Sequence, residues 1–238
     1  MERAIVVGAS SGIGRALAEQ LAERGYEVGL AARRVERLEE LGESLPTKAY
    51  VARMDVTETE EARERFDALV EAMGGVDLVV LSAGTGQPNT ELDWDVERDT
   101  VAVNAQGFAA LATAAMERFD EQGAGTLVGI SSVAALFGGG ASPAYSASKA
   151  FVSNYCDGLR AWAAGRDLDA TVLDVKPGYV DTEMAFGDFW KCSPETAARQ
   201  ILRVADAGRR HVYVTRRWRL VGWVLRGLPD AALERVFS

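Results

Sequence analysis

The chain has 238 residues, of which 48% are hydrophobic, and a formal net charge of −9. This length and composition are typical of one α/β domain with a full core, and the acidic balance argues against a nucleic-acid partner, which needs a basic surface. The two cysteines, Cys156 and Cys192, indicate ordinary packing in a reducing compartment rather than a disulfide framework.

Short apolar runs alternate with amphipathic stretches along the chain. We predict buried strands over residues 4–7, 27–31, 49–52, 78–81, 126–130, 171–175 and 211–214. Apolar residues at helical spacing predict helices over residues 15–24, 59–72, 98–118, 147–164 and 195–205. This alternation favours βαβ units. We therefore expect a single domain over residues 1–238, with a doubly wound, mainly parallel seven-stranded sheet and helices on both faces.

The first strand runs into Gly8-Ala9-Ser10-Ser11-Gly12, which fits two patterns. One is the Gly-x-Ser-x-Gly elbow of serine hydrolases, with Ser10 as the nucleophile. That elbow follows earlier strands and needs a histidine, whereas this one follows the first strand and the chain has only His211. The other pattern is a glycine-rich turn that opens a helix at about Ile13 and cradles a phosphate. The strand before the turn and the helix after it favour the cradle.

In the cradle interpretation each glycine has its own task. Gly8 permits the tight turn, Gly12 lets the backbone approach a pyrophosphate, and Gly14 lets the helix pack closely on the sheet. Ser10, Ser11 and Ile13 complete the set of expected contacts at this loop. No Gly-Lys-Ser/Thr follows, which argues against a nucleoside-triphosphate loop.

The end of the second strand indicates which nucleotide is bound. Ala32 stands where an acidic ribose-binding residue is expected, and Arg33 and Arg34 follow it. A guanidinium pairs well with a phosphate, so this stretch favours NADP over NAD. The alternative is a pair of solvated arginines at the start of a helix, which is an unfavourable place for cations.

Tyr145 and Lys149 are four residues apart on a predicted helix and therefore share one face. A neighbouring ammonium stabilises phenolate, so we expect Lys149 to lower the pKa of Tyr145. Such a tyrosine exchanges a proton with a carbonyl or alcohol oxygen. Ser132 follows a buried strand, from which its hydroxyl is expected to reach the same oxygen.

With these residues the sequence resembles the short-chain dehydrogenase/reductase family and its Rossmann-like fold. The resemblance runs from about residue 4 to residue 182, and the matching positions are Gly8-x3-Gly12-x-Gly14, Asp55, Asn104, Ser132, Tyr145-x3-Lys149 and Pro177-Gly178. It implies that Tyr145 is the general acid/base, that Ser132 polarises the substrate oxygen, and that Lys149 also binds the nicotinamide ribose. It further implies that Asn104 holds a water molecule that links Lys149 to solvent.

The same resemblance implies further cofactor contacts. Asp55 is expected to bind the adenine amino group with Val56 beside the ring, and Val180 and Thr182 to lie at the nicotinamide carboxamide. Ala83 and Gly84 follow the fourth strand, where the family usually has Asn-Ala-Gly and this chain has Ser82 first. Taken one at a time, these residues also have structural interpretations, such as a cap for Asp55 and a backbone-bonded helix residue for Asn104.

Two segments are expected to flank the nicotinamide. Residues 134–142 are glycine-rich and include Phe137, and the loop region 183–195 offers Met184, Phe186, Phe189 and Trp190. Apolar side chains there close over a ligand and exclude water, which predicts an apolar or aromatic carbonyl substrate. The alternative is a loop that is buried against the body of the protein or a neighbour.

The tail, residues 209–238, carries seven arginines against two acidic residues. Trp218, Val221, Leu225 and Leu228 fall near one helical face. Such a helix lies on an anionic membrane surface or packs on a partner subunit, and the family resemblance favours a homo-oligomer.

The sequence as a whole predicts an NADP-dependent oxidoreductase acting on a carbonyl or alcohol, and no metal site. A non-catalytic NADP-binding regulator and a serine hydrolase remain as alternatives. No basic leader precedes the apolar run at Ala4, and no run reaches the ~18 residues that span a bilayer, so we expect a cytoplasmic protein.

Overall fold

The computed structural model describes residues 1–184, 190–226 and 229. Within them the chain forms one seven-stranded sheet in which every neighbouring pair is parallel. The strands are β1 (Arg3–Val7), β2 (Glu27–Ala32), β3 (Ala49–Arg53), β4 (Leu78–Leu81), β5 (Ala124–Ile130), β6 (Asp169–Pro177) and β7 (His211–Val214). Their order across the sheet is β3-β2-β1-β4-β5-β6-β7. The predicted fold class is confirmed, with a sheet that is wholly rather than mainly parallel.

Helices connect the strands and cover both faces of the sheet. They are α1 (Gly12–Glu23), α2 (Val35–Ser44), α3 (Thr59–Met73), α4 (Trp94–Val101), α5 (Phe108–Gln122), α6 (Pro143–Ala164), α7 (Pro194–Ala205) and α8 (Trp218–Arg226). Because successive side chains of a strand point to opposite faces of the sheet, the hydrophobic core has one layer on each face. On β1, Ala4 and Val6 face the layer of α1, α2 and α7, whereas Ile5 and Val7 face the layer of α3, α5 and α6.

The order of the strands reverses at β1, which has β2 on one side and β4 on the other. Crossovers leave this point in opposite directions, so a crevice opens at the carboxyl ends of β1 and β4. The loops after the two strands approach each other closely there, since a Cβ atom placed on Gly8 would lie 2.5 Å from the backbone nitrogen of Ala83. The candidate site is built at this edge.

Two helical segments differ from the sequence prediction. Helix α2 was not predicted, because it is short and buries only Leu38 and Leu41. The predicted helix over residues 98–118 begins earlier, at Trp94, and is interrupted by a π-helical stretch, Ala102–Gly107, between α4 and α5. Apolar periodicity alone does not distinguish a π turn from a continuous α-helix.

Neither cysteine is in a disulfide: Cys156 is buried and Cys192 is partly buried. Among the helices in the described part of the chain, none has the length and apolar character that crossing a membrane requires.

Candidate active site

The glycine loop after β1 is shaped by close backbone contacts. Gly8 and Gly12 adopt positive φ angles of 90° and 55°, a conformation that glycine takes without strain. A Cβ atom on Gly14 would lie 2.3 Å from the carbonyl oxygen of Gly8. Helix α1 begins at Gly12, and Ser11 at its N-cap makes no side-chain capping bond. The first-turn N–H groups are therefore placed to bind an anion.

A cleft of about 450 Å³ lies over this loop. It is lined by Ser10, Ser11, Gly12, Arg15, Arg37, Glu40, Asp181, Thr182, Glu183 and Pro194. The lining joins the glycine loop to the start of α2 and to the segment that follows β6. Of the predicted nucleotide-binding positions, Ser10, Ser11, Gly12 and Thr182 thus share one cavity.

Arg34 lies across the glycine loop. Its Nη2 donates hydrogen bonds to the hydroxyl oxygens of Ser10 at 3.0 Å and Ser11 at 2.9 Å, and its Nη1 lies 3.1 Å from Glu183 Oε2. Arg37 Nη1 lies 2.9 Å from the other oxygen of the same carboxylate. Neither Arg37 nor Glu183 was predicted as a site residue. The spacing of Arg37, three residues after Arg34 at a helix start, is the signal that was available.

Arg33 takes a different direction from Arg34. Its side chain is exposed, and its charge acts on Asp55, which follows β3. Burial raises the pKa of Asp55, but hydrogen bonds from Thr57 and the charges of Arg33 and Arg53 outweigh this, so the pKa is lowered. Asp55 Oδ1 accepts from the nitrogen and the hydroxyl of Thr57, at 3.1 and 2.8 Å, so Asp55 closes a turn before α3 and does not cap that helix, whose N-cap is Glu58.

The elbow interpretation of Ser10 finds no support in these contacts. The Ser10 hydroxyl accepts hydrogen bonds from Arg34. His211, the sole histidine of the chain, lies on β7 with Nδ1 3.4 Å from Asp174 Oδ2 and Nε2 3.8 Å from Asp157 Oδ1. A hydrolase triad requires the histidine beside the serine.

Ser132, Tyr145 and Lys149 are brought together at the carboxyl end of β5. Ser132 follows that strand; its Oγ accepts from the nitrogen of Ala134 at 3.1 Å and is near enough to the Tyr145 phenol to lower the pKa of that phenol. Tyr145 and Lys149 lie one turn apart on α6, with Lys149 Nζ 5.7 Å from the centre of the tyrosine ring. Lys149 is only 5% exposed, and its Nζ donates to the carbonyl oxygen of Ile130 at 3.1 Å.

The pKa values of this group are set mainly by burial. Burial raises the pKa of Tyr145 above its ordinary value, and the nearby Ser132 hydroxyl only partly offsets this. Burial also lowers the pKa of Lys149 to about 8. The net shift of the Tyr145 pKa is therefore upward, because burial disfavours the charged phenolate. That Lys149 lowers this pKa stays a prediction. At neutral pH Tyr145 carries its proton.

Asn104 lies in the π-helical stretch and is almost fully buried. Its Oδ1 accepts from the nitrogen of Thr85 at 2.8 Å, and its Nδ2 donates to the carbonyl oxygen of Thr85 at 2.7 Å and to Ser148 Oγ at 3.0 Å. The side chain thus holds the loop after β4 against α6, as the structural interpretation of Asn104 expects. The water relay through Asn104 stays a prediction.

Two glycines of the loop after β4 adjoin the cluster of Ser132, Tyr145 and Lys149. A Cβ atom on Gly84 would lie 3.3 Å from both Lys149 Nζ and Asn104 Oδ1. One on Gly86 would lie 2.5 Å from Cδ2 of Tyr145. The backbone at Gly86 therefore lies directly over the tyrosine ring. Gly86 was missed because glycine in a loop carries no signal of what it contacts.

Three further predicted cofactor residues are buried or contact the glycine loop. Val56 is buried, and its carbonyl oxygen would lie 2.5 Å from a Cβ atom on Gly107. Val180 is buried in the core and forms an isolated parallel bridge with Cys192. Thr182 Cγ2 would lie 3.0 Å from a Cβ atom on Gly12, which joins the segment after β6 to the glycine loop.

An aromatic cluster borders the site after Pro177-Gly178. Trp218 at the start of α8 packs edge-to-face against Tyr179 and Trp190, with ring centres 5.8 and 5.9 Å apart. A Cβ atom on Gly178 would clash with Trp218, at 1.9 Å from Nε1. The phenol of Tyr179 is also near enough to Tyr145 to raise its pKa. Neither Tyr179 nor Trp218 was predicted as a site residue.

The other predicted substrate residues are only partly described. Met184 and Trp190 are exposed, and Phe137 follows a short 3₁₀ helix after Ser132 and is partly buried. Phe186 and Phe189 lie outside the described residues. In the tail, the predicted helix is present as α8, and Trp218 is buried whereas Leu220 and Val224 are exposed. Leu228 and the side chain of Leu225 also lie outside the described part.

The chain has clear relatives among known proteins. Residues 2–189 match the family model described as short chain dehydrogenase. An uncharacterised oxidoreductase from Myxococcus xanthus is 38% identical over 186 residues, which cover 76% of this chain and 73% of that protein. Another, from Staphylococcus aureus strain USA300, is 34% identical over 206 residues, covering 84% and 88%.

Solved structures agree in fold. A short-chain dehydrogenase from Streptomyces avermitilis superposes with a TM-score of 0.82 at 26% identity, covering 99% of this chain and 93% of that one. An alcohol dehydrogenase from Thermococcus sibiricus, complexed with 5-hydroxy-NADP, has a TM-score of 0.78 at 24% identity, covering 90% and 95%. This chain belongs to the short-chain dehydrogenase family, whose members are oxidoreductases that bind a nicotinamide cofactor.

Proposed function

We propose that this protein reduces an apolar or aromatic ketone or aldehyde with NADPH. The observation that carries the proposal is the cluster of Ser132, Tyr145 and Lys149 at the sheet edge where the glycine loop opens. A hydroxyl, a phenol and a buried amine at one place form a proton-transfer group for a carbonyl oxygen.

The residues present fit a nicotinamide dinucleotide. A methyl group on Gly14 would collide with the backbone of Gly8, so the loop is built for close approach, and the first-turn N–H groups of α1 suit a pyrophosphate. We propose that Asp55 and Val56 contact the adenine and that Lys149 and Thr182 contact the nicotinamide half. When bound, the cofactor supplies or accepts the hydride.

The protonation states favour reduction at neutral pH. Tyr145 holds its proton, because burial raises its pKa, and it donates that proton to the oxygen that becomes a hydroxyl. Ser132 donates a hydrogen bond to the same oxygen. Lys149 has a pKa of about 8, so it is mostly protonated at pH 7 and close enough in pKa to return a proton towards Tyr145.

The proposed preference for NADPH over NADH rests on the basic residues around β2. Arg33, Arg34 and Arg37 cluster after a strand that ends at Ala32, without the acidic residue that would repel a 2′-phosphate. Guanidinium groups suit a phosphomonoester dianion. The structurally similar Thermococcus sibiricus dehydrogenase was solved with an NADP derivative, which is compatible with this proposal.

The proposed substrate class follows from the aromatic cluster. Tyr179 and Trp190 are both about two-fifths exposed and stand beside buried Trp218 at the edge of the catalytic group. Large aromatic faces favour an apolar or aromatic substrate over a small charged keto acid.

We base the proposal about a macromolecular partner on the described part of the tail. Leu220 is 70% exposed and Val224 59% exposed on α8, with Arg216 and Arg219 exposed beside them. We favour packing against a second copy of the chain over contact with an anionic membrane. Flotation with anionic liposomes at low salt separates the two, since co-flotation would support the membrane and contradict the favoured interpretation.

The proposed activity is tested by NADPH absorbance against a diverse carbonyl library. We expect turnover of bulky apolar or aromatic aldehydes and ketones, and weaker turnover with NADH. A preference for small charged keto acids would overturn the substrate class. NADPH binding without any turnover would instead favour a regulator, and hydrolysis of p-nitrophenyl acetate that is lost in His211→Asn would favour the hydrolase.

A further inference from the structure

The carboxylate of Glu183 bridges two arginines at the rim of the cleft. One oxygen lies 3.1 Å from Nη1 of Arg34 and the other 2.9 Å from Nη1 of Arg37. The same Arg34 guanidinium also donates to the hydroxyls of Ser10 and Ser11 in the glycine loop. An oxyanion held by two guanidinium groups beside two hydroxyls is the arrangement that a phosphomonoester takes in a binding site.

Glu183 remains an anion under all ordinary conditions. The hydrogen bonds from Arg37 and Arg34, together with their charges, hold its pKa below the usual value for a glutamate. Binding of a second anion to the two arginines therefore requires that a charged carboxylate leave them, rather than a neutral acid. The competition between the two anions is direct, because each guanidinium offers a limited number of N–H groups in a fixed plane.

The Glu183 contacts are exchangeable. The side chains of Arg34 and Arg37 are each 43% exposed and that of Glu183 is 63% exposed, so water screens both ion pairs. Exposed pairs of this kind contribute little to stability. A phosphate dianion carries more charge and more acceptor oxygens than a carboxylate, so it displaces Glu183 while the carboxylate still reduces its affinity.

We infer that Glu183 is an internal competitor for the 2′-phosphate of NADP(H) at the Arg34–Arg37 pair, and that it sets how strongly the protein prefers NADP(H) over NAD(H). This inference rests on the proposed function. It makes Arg37 a second phosphate-binding arginine beside Arg34. NAD(H), which has no 2′-phosphate, leaves Glu183 on the arginines.

The position of Glu183 in the chain limits how far its release can act. Glu183 is one residue beyond Thr182, which contacts the glycine loop, and the base of this segment is fixed by the Val180–Cys192 bridge and the hydrogen bond from Asp181 N to Cys192 O at 2.9 Å. Because the base is held, the exchange is local to the residues after Asp181. The expected effect is on cofactor affinity rather than on the stability of the fold.

The test is equilibrium binding of NADPH and NADH to the whole protein, followed by nucleotide fluorescence. Glu183→Gln removes the competing charge with almost no change in shape. The loss of two exposed ion pairs that compete with the phosphate corresponds to a change in binding constant of about threefold to tenfold. The Kd for NADPH is therefore expected to fall by that factor. The Kd for NADH is expected to change by less than about twofold, since only the 2′-phosphate competes.

Glu40→Gln is the matched control. Glu40 lines the same cleft, and the ion pairs described for Arg34 and Arg37 are with Glu183, so Glu40→Gln removes the same charge from the cleft while leaving those pairs in place. If general electrostatics were responsible, Glu40→Gln would tighten NADPH as much as Glu183→Gln does, and the inference would be overturned. An unchanged Kd for NADPH in Glu183→Gln, or equal tightening of NADPH and NADH, overturns it as well. If NADPH binds neither protein, the proposed function fails together with the inference, and this outcome is distinct from the others.

Discussion

Lys176→Met is expected to destabilise the protein strongly, although the substitution lies outside the proposed catalytic group. Lys176 and Asp174 are two residues apart on β6, so their side chains point to the same face, and they form an ion pair. Asp174 has no exposed surface, and Lys176 is 4% exposed. Asp174 also accepts hydrogen bonds from Ser131 at 2.5 Å and from Ser153 at 2.7 Å.

The magnitude follows from what the substitution leaves behind. Methionine fills the space of the lysine stem but leaves the carboxylate of Asp174 buried with hydroxyl groups and His211 as its remaining partners. Removing one member of a buried pair costs about 3–5 kcal/mol, whereas replacing both is often close to neutral. We therefore expect a loss of about 3 kcal/mol for Lys176→Met and a smaller loss for Asp174→Asn/Lys176→Met.

The assay is urea unfolding of wild type, both single variants and the double variant, with midpoint and slope measured for each. The pair interaction follows from the double-mutant cycle. A loss of unfolding free energy below about 1 kcal/mol in Lys176→Met would refute the account of Asp174 and Lys176 as a buried pair whose charges depend on each other. A double variant as unstable as Lys176→Met would refute it as well.

The pH dependence gives a second check with a definite sign. Burial raises the pKa of Asp174, but the charge and hydrogen bond of Lys176, together with the hydrogen bonds of Ser131 and Ser153, outweigh it, so the pKa is lowered. A lowered carboxyl pKa contributes stability above the unfolded pKa, and that stability is lost as the pH falls through the folded pKa. Loss of Lys176 removes the largest of the effects that lower this pKa, so the pKa of Asp174 rises. The difference in unfolding free energy between wild type and Lys176→Met should therefore shrink from pH 7 to pH 5.

Two further predictions concern the catalytic group. Gly86→Ala places a methyl group 2.5 Å from Cδ2 of Tyr145, so the ring must move. The kcat should fall at least about tenfold with the Kd for NADPH unchanged. Gly158→Ala on α6, whose added methyl group meets nothing within 4 Å, should leave kcat unchanged. Equal kcat values for the two variants would contradict the contact. Lys149 has a pKa of about 8 in the folded protein, against an ordinary value of 10.5, so the unfolded chain binds more protons than the folded one above pH 8. The unfolding free energy of wild type should therefore rise by about 1 kcal/mol relative to that of Lys149→Met between pH 7 and pH 9. A pH-independent difference between them in urea unfolding would show that the amine is not desolvated.

The fold was predictable because strand and helix periodicities are local properties of the sequence. Apolar runs predict the strands. The alternation of strands and helices then favours a parallel sheet with helices on its faces. Even so, β6 extends past the predicted residues 171–175 to include Lys176. A charged residue usually marks the end of a buried strand, and only the tertiary partner Asp174 makes its burial acceptable.

The proximity of Tyr145 and Lys149 was predictable from their spacing, whereas the pKa of Tyr145 was not. Tyr145 and Lys149 share a helix face by their separation alone. The direction of the tyrosine pKa depends on how completely the phenol is buried, which no spacing reveals. Burial therefore makes the net shift of this pKa upward.

The contacts that sequence missed all join segments far apart in the chain. Arg37 and Glu183 meet only because α2 and the segment after β6 end at the same edge of the sheet. Tyr179 and Trp218 meet because α8 returns over Pro177-Gly178. Loop conformations of this kind are set by packing rather than by local pattern.

The central claim is that the phenol of Tyr145 delivers the proton for carbonyl reduction, and Tyr145→Phe tests it most directly. NADPH consumption with the best carbonyl of the library and the Kd for NADPH are measured together for wild type and variant. We expect the rate to fall by about 10²- to 10⁴-fold while the Kd stays within about twofold of wild type. Turnover by Tyr145→Phe at a rate close to that of wild type would contradict the claim.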